Sequence, residues 1–189
     1  MDLTYRFSLT AASLLVADFV ELAKIYQEAN FDWNAINHNE VIRDRETTRK
    51  REFAELKLRL SYLSEEEIRF ITGTHIDNQK IFTFLAAVRT YRLLREFVEF
   101  IVNEKLMVFN YQLSVGDMNS FMYQKRMENE VFDALSDTTF KKVQQVIFKM
   151  LEQAGFIDSV RSKKIQVPYL DYDMENMLSS MDKKYLLQL

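Results

Sequence analysis

Apolar residues recur at three- and four-residue spacing along most of this chain, and that period predicts helices. Leu15, Phe19, Leu22 and Tyr26 place a first helix from about Thr10 or Ser13 to Asn30. Asp32 reads as an N-cap for a second helix carrying Trp33, Ile36 and Val41. Phe53, Leu56, Leu60 and Leu63 form the stripe of a third, over roughly 47–62. Ser64 followed by Glu67 is a capping-box pair that opens a short helix ending near Gly73. A long apolar helical region runs from Asp77 or Asn78 to about Glu104, through Phe82, Leu85, Leu93, Phe97 and Ile101. The pattern breaks over Met107–Val115, a candidate strand or linker, and resumes at about Gly116–Lys125.

The C-terminal part carries the clearest signal. Leu135-Ser136-Asp137-Thr138-Thr139 reads as a helix start. Phe140, Val143, Ile147, Leu151 and Ala154 then share one face. Gly155 ends the run, and a short basic segment leads to Pro168. A last amphipathic helix holds Met174, Met177, Leu178, Met181 and Tyr185. With only 3 Gly and 1 Pro in 189 residues, the tight turns of a sheet-rich fold are scarce. The expected fold is therefore mainly all-α: a multi-helix bundle with a C-terminal winged-helix-like module carrying a small β-wing. The expected division is 1–110 for the N-terminal bundle and 111–189 for the winged-helix-like part.

Composition narrows the chemistry. No cysteine is present, which removes disulfides, thiolate nucleophiles and cysteine-based zinc sites. The two histidines, His38 and His75, have no partner at metal-ligand spacing. There is no glycine-rich phosphate loop and no nucleophile elbow. Glu65, Glu66 and Glu67 read as helix-start acids rather than an acid–base pair. The expectation is a non-enzymatic protein without cofactor or metal. The early uncharged stretch from Phe7 to Ala17 is too short to span a bilayer, which takes about 20 apolar residues. No signal-peptide pattern opens the chain, and no membrane contact is expected.

The net charge of −3 means that any polyanion surface must be local. Two basic patches qualify. On the helix after Asp137, Thr138, Lys142, Gln145 and Lys149 line the polar face, with Lys141 beside them. Arg161, Lys163 and Lys164 follow at the expected wing tip. From Ser136 to Lys164 there are six basic and three acidic residues, a local charge of +3. Such a helix can enter a major groove with its N-terminal end leading, Thr139 and Gln145 reaching base edges and the lysines holding phosphates. The second patch, Arg43, Arg45, Arg49, Lys50 and Arg51, holds five basic and two acidic residues. At a helix start it can also bind phosphate.

Each patch has a plainer reading. The first can be a solvated helix face. The second can be a set of ion pairs, Arg51 with Glu55 and Glu55 with Arg59, each worth about 0.3–0.5 kcal/mol when exposed. Arg89, Arg92 and Arg95 read as a structural stripe, and the methionines of the last helix as core.

Three blocks resemble the small helical BrxA proteins of BREX bacteriophage-defence systems: Tyr5-Arg6-Phe7-Ser8-Leu9-Thr10-Ala11-Ala12-Ser13-Leu14, Thr48-Arg49-Lys50-Arg51 through Arg59-Leu60, and Leu135-Ser136-Asp137-Thr138-Thr139 through Gly155-Phe156-Ile157. Tyr91-Arg92-Leu93-Leu94-Arg95-Glu96-Phe97 fits between them. The resemblance covers nearly the whole chain in order. It implies a cytoplasmic protein with a helical fold similar to the NusB-type RNA-binding domain, a non-enzymatic role beside other BREX proteins, and nucleic-acid binding. The residues favour DNA over RNA. A protein–protein adaptor acting through the methionine-rich last helix and exposed aromatics is the alternative.

Overall fold

The computed structural model describes residues 4–36 and 46–187. Eleven α-helices form among them, with no β-strand. A 3-10 turn at Ser8–Ala11 precedes α1 (Val16–Glu28). Asp32 caps as expected, accepting from the Asn34 N–H at 2.9 Å, but the helix it opens is a single 3-10 turn, Trp33–Ala35. Val41 and His38 lie outside the described residues, as do Arg43 and Arg45. Next come α2 (Glu46–Leu60), α3 (Glu65–Gly73) and α4 (Ile76–Thr90).

The single long helix expected over 77–104 is broken. Tyr91 takes extended backbone angles and ends α4. α5 (Arg92–Phe97) then passes through a π turn at Val98–Val102 into α6 (Asn103–Met107). The break sits where the Tyr91 hydroxyl enters a buried polar network. It donates to the Glu55 carboxylate and accepts from Arg59 Nε at 2.8 Å. Arg59 also donates to the carbonyls of Ala12 at 2.8 Å, Ser13 at 2.6 Å and Leu14 at 3.3 Å. Thus Glu55 and Arg59, read from spacing as an exposed ion pair, are 5% and 0% exposed. The packing of α4 over α2 buried them, and Arg59 pins the N-terminal segment to α2.

The rest of the chain is α7 (Val115–Glu128), α8 (Glu130–Asp133), α9 (Asp137–Gln153), α10 (Tyr172–Met177) and α11 (Ser180–Tyr185). Asn129 caps α8, a helix that the periodicity did not reveal. The expected last helix is divided at Leu178 and Ser179. Met174 is buried, Met177 is half-buried against the core and Met181 is exposed. One hydrophobic cluster joins residues from Leu9 to Leu187.

The capping box at Ser64 and Glu67 forms with both bonds, as does another at Ser179 and Asp182. Their acids meet at one guanidinium. Arg89 donates to Glu67 Oε1 at 2.7 Å and Oε2 at 3.0 Å, to Asp182 Oδ1 at 3.1 Å and Oδ2 at 3.0 Å, and to the Tyr62 carbonyl at 3.0 Å. All five N–H donors are used. Arg89 and Arg92, which ion-pairs with Glu96 at 2.6 Å, are therefore structural, as the sequence suggested.

Candidate nucleic-acid interface

α9 buries its apolar face completely: Phe140, Val143, Ile147, Leu151 and Ala154 all lie in the core. Ser136 is the N-cap, accepting from the Thr139 N–H at 3.2 Å. Gly155 ends the helix at φ 79°, a left-handed position that glycine takes without steric cost.

The segment beyond it is not a β-wing. Among the described residues only two isolated antiparallel bridges form there, Ile157 with Ile165 and Gln112 with Lys164. The loop closes through a side chain instead. The Asp158 carboxylate accepts from the Ser159 N–H at 2.7 Å and the Lys164 N–H at 2.9 Å. Gln112 Nε2 donates to the Ser162 carbonyl at 2.6 Å. Hydrogen bonds to the carboxylate hold Asp158 below the usual carboxylate range: the Ser162 side chain contributes most, the Lys164 and Ser159 N–H groups add to it, and burial opposes it. A carboxylate satisfies the turn that a wing's strand ladder would otherwise satisfy.

Two grooves flank the outer face of α9. The first, about 480 Å³, has Val115, Phe148 and Val160 among its lining residues, with Lys141, Gln145, Lys149 and Lys163 around them. Lys163 bends back at φ 59°, and its Nζ lies 5.2 Å from the centre of the Phe148 ring. The structure thus brings the loop lysine onto the helix face that the sequence singled out. The second groove, about 400 Å³, lies between α9, α2 and the segment that Arg59 pins. Lys142, Gln145 and Lys149 line one side, Thr10 to Ser13 the middle and Glu52 the α2 side. Gln145 and Lys149 belong to both grooves.

The cations differ in what they already hold. Lys141, Lys142, Arg161 and Lys164 are exposed and make no ion pair among the described residues. Lys149 is paired with Glu152. That carboxylate is also held by the Val160 N–H at 2.9 Å and titrates below its ordinary range, chiefly through the Lys149 bond. Thr138 is exposed. Thr139 is half-buried, with its hydroxyl 3.0 Å from Ser136 Oγ. Asp137 stands in the first turn, 4.0 Å from Arg126. A carboxylate and an occupied cap at that end oppose a helix entering a groove tip-first, so the middle of α9 is the accessible part.

The α2 patch is partly spent. Lys50 pairs with Glu46 at 2.6 Å, Arg49 is half-buried and engaged, and Arg51 is exposed. Where α2 reaches the groove beside α9, it contributes the acid Glu52. Sequence reasoning missed Val115, Phe148 and Val160 as groove residues. Phe148 follows α9's core stripe in spacing, and the two valines come from separate segments with no shared signal. Gln144 was missed as well; it donates to the Asn119 side chain at 2.8 Å and joins α9 to α7. Elsewhere, His75 Nε2 lies 2.9 Å from Asp171 Oδ2. No helix among the described residues is long and apolar enough to cross a membrane, and no cluster of three potential metal ligands occurs among them.

The BrxA family model matches residues 3–182. The chain belongs to the BrxA family. A BREX protein BrxA from Bacillus cereus (strain H3081.97) is 27% identical over 179 residues, covering 90% of this chain and 88% of that protein. A BREX protein BrxA from Escherichia coli O9:H4 (strain HS) is 25% identical over 185 residues, covering 97% and 83%. A crystal structure of an uncharacterized protein from Magnetospirillum magneticum matches this BrxA-family chain with a TM-score of 0.80. It covers 97% of this chain and 96% of that one at 18% identity, a likeness of fold.

Proposed function

We propose that this BrxA-family chain is a non-catalytic, DNA-binding component of a BREX defence system. The observation that carries this reading is the set of exposed cations on α9 and the loop after it that make no ion pair among the described residues: Lys141, Lys142, Arg161 and Lys164. Lys163 joins them over Phe148. In this reading 111–189 is the contacting part and 1–110 its support. The helix and the Asp158-closed loop do the work of a winged helix without a strand-built wing. The middle of α9 lies along the duplex, the lysines hold phosphates and Gln145 reaches toward base edges. Few side chains are placed to read bases, so sequence preference is weak. A helix-borne contact also favours DNA, because the major groove of an RNA duplex is too deep and narrow to admit a helix. Arg43, Arg45, Arg49, Lys50 and Arg51 form a secondary contact, weakened by Glu46 and Glu52.

The test is fluorescence anisotropy of the purified chain with a labelled duplex at stepped salt. The expected dissociation constant at physiological salt is in the non-specific range, about 10⁻⁴–10⁻⁶ M. Changing Lys141, Lys142, Lys163 and Lys164 together to Glu abolishes binding, whereas R49E/K50E/R51E weakens it less. Unlabelled duplex DNA competes better than duplex RNA. Unchanged binding in the quadruple variant sinks the proposal.

A further inference from the structure

A second exposed feature lies where the π turn, α6 and the start of α7 meet. A π turn adds a residue relative to α spacing and rotates the side chains that follow it. Here it leaves Phe100 exposed between the buried Val98 and Val102. α6 then closes with two crossed bonds. The Phe109 N–H donates to the Leu106 carbonyl at 2.9 Å, and the Asn110 N–H to the Lys105 carbonyl at 2.8 Å. α9 closes in the same way, through Gly155 to Glu152 at 3.0 Å and Phe156 to Leu151 at 2.8 Å. In α9 the left-handed position holds Gly155; in α6 it holds Phe109, at φ 57°. A Cβ is disfavoured there, and Phe109 recovers nothing by burial, because it is 78% exposed. Met107 and Val108 beside it are exposed too. The fold gains nothing from an aromatic ring at this point.

Two shallow grooves, about 290 and 360 Å³, meet along this face and share Phe100, Ile101 and Glu104. Their other charges cancel. Lys105 pairs with Asp117 at 3.1 Å. Lys125 pairs with Glu96 at 2.9 Å and Glu128 at 3.4 Å, and Arg92 also holds Glu96. Glu104 is exposed, and its carboxylate has no partner among the described residues. The face is thus apolar with one uncompensated negative charge.

We propose that this face docks an amphipathic helix of a partner protein, with apolar anchors over Phe100, Val108 and Phe109 and an Arg or Lys against Glu104. Large exposed apolar patches mark such contacts, and amphipathic helices fill such grooves. The free carboxylate decides the occupant. It repels nucleic acid, and in a two-fold contact a second copy of this chain would bring another Glu104 to the same groove. This docking is independent of the α9 reading.

The test places a photo-crosslinking amino acid at Val108 of the full chain, in the cell that encodes it. The expected product joins position 108 to one partner segment with apolar residues at three- and four-residue spacing and an Arg or Lys among them. E104K lowers the yield by about tenfold or more, and changing that partner cation to Glu restores it. F109G also lowers the yield, while its thermal midpoint stays equal or rises because the left-handed strain is relieved. Both variants keep their duplex-DNA affinity, so failure here is distinguishable from failure of the α9 interface. The proposal is overturned by a product that is chiefly this chain joined to itself, by a partner segment without a cation, by a yield indifferent to E104K, or by no product above that of the same crosslinker at the exposed Lys24.

Discussion

Arg89 and Lys142 are both helix-borne cations, yet they belong to different economies of hydrogen bonding. Arg89 sits between α3, α4 and α11 with every N–H donor occupied by Glu67, Asp182 and Tyr62. Lys142 stands on α9 with no carboxylate partner among the described residues. Arg59 resembles the first, held by three backbone carbonyls and Tyr91. The difference teaches how to sort basic residues in an acidic protein. A cation whose donors are spent holds the fold, and only one whose donors are free can hold a ligand. Lys149 shows the intermediate case, because it lies in both grooves yet is already committed to Glu152.

Substitutions test this contrast, beginning with the largest effect. Arg89→Ala leaves two buried carboxylates facing each other, and breaking such a cluster costs about 3–5 kcal/mol. Urea denaturation should show that loss, with duplex affinity unchanged per folded molecule; a variant as stable as the parent would make Arg89 dispensable. Acid acts on interior carboxyls as well. Burial raises the Asp182 and Glu96 carboxyls, but their hydrogen bonds to Arg89 and Ser179, and to Arg92, Lys125 and Tyr5, outweigh it and leave both below their ordinary values. Their contribution is complete above the unfolded-chain values of about 3.9 and 4.3, and it disappears as pH falls through the lower folded values. A denaturation midpoint that holds from neutral pH to about pH 5 and then drops is expected.

Smaller effects belong to α9. Ser136→Ala removes the cap on Thr139 and should cost about 1 kcal/mol. Lys142→Ala should leave stability within about 0.5 kcal/mol while lowering the slope of log affinity against log salt by about 0.9. Lys149→Ala should change that slope less, since Glu152 competes with phosphate for the ammonium. Equal slopes for the two lysine variants would erase the distinction between spent and free cations on this face.

Much of the fold was legible. Capping pairs announce themselves locally, so the starts of α3 and α9 and the cap at Asp32 were readable from adjacent residues. The apolar stripe of α9 was readable because a single helical period decides which residues face inward. Glu55 and Arg59 were misjudged because a four-residue charge spacing looks the same on a surface helix and on a buried one. The break at Tyr91 was invisible for a related reason: its hydroxyl serves groups 36 and 32 residues away. The β-wing was expected from a basic segment after a glycine. Asp158 closes the loop with its own carboxylate, and no pattern in the sequence distinguishes that from a strand ladder.

By itself the sequence determined most of the segments that are helical, where several begin, and that the cations of α9 lie opposite its apolar face. These are local matters, settled by backbone geometry and the spacing of side chains within a few residues. The tertiary structure alone decided which cations are consumed by the interior, that Lys163 folds over Phe148 beside Lys141, and that α2 presents Glu52 rather than an arginine to the groove along α9. Those outcomes depend on which distant carbonyls, carboxylates and rings arrive at hydrogen-bonding distance. Only the packing of the helices supplies them.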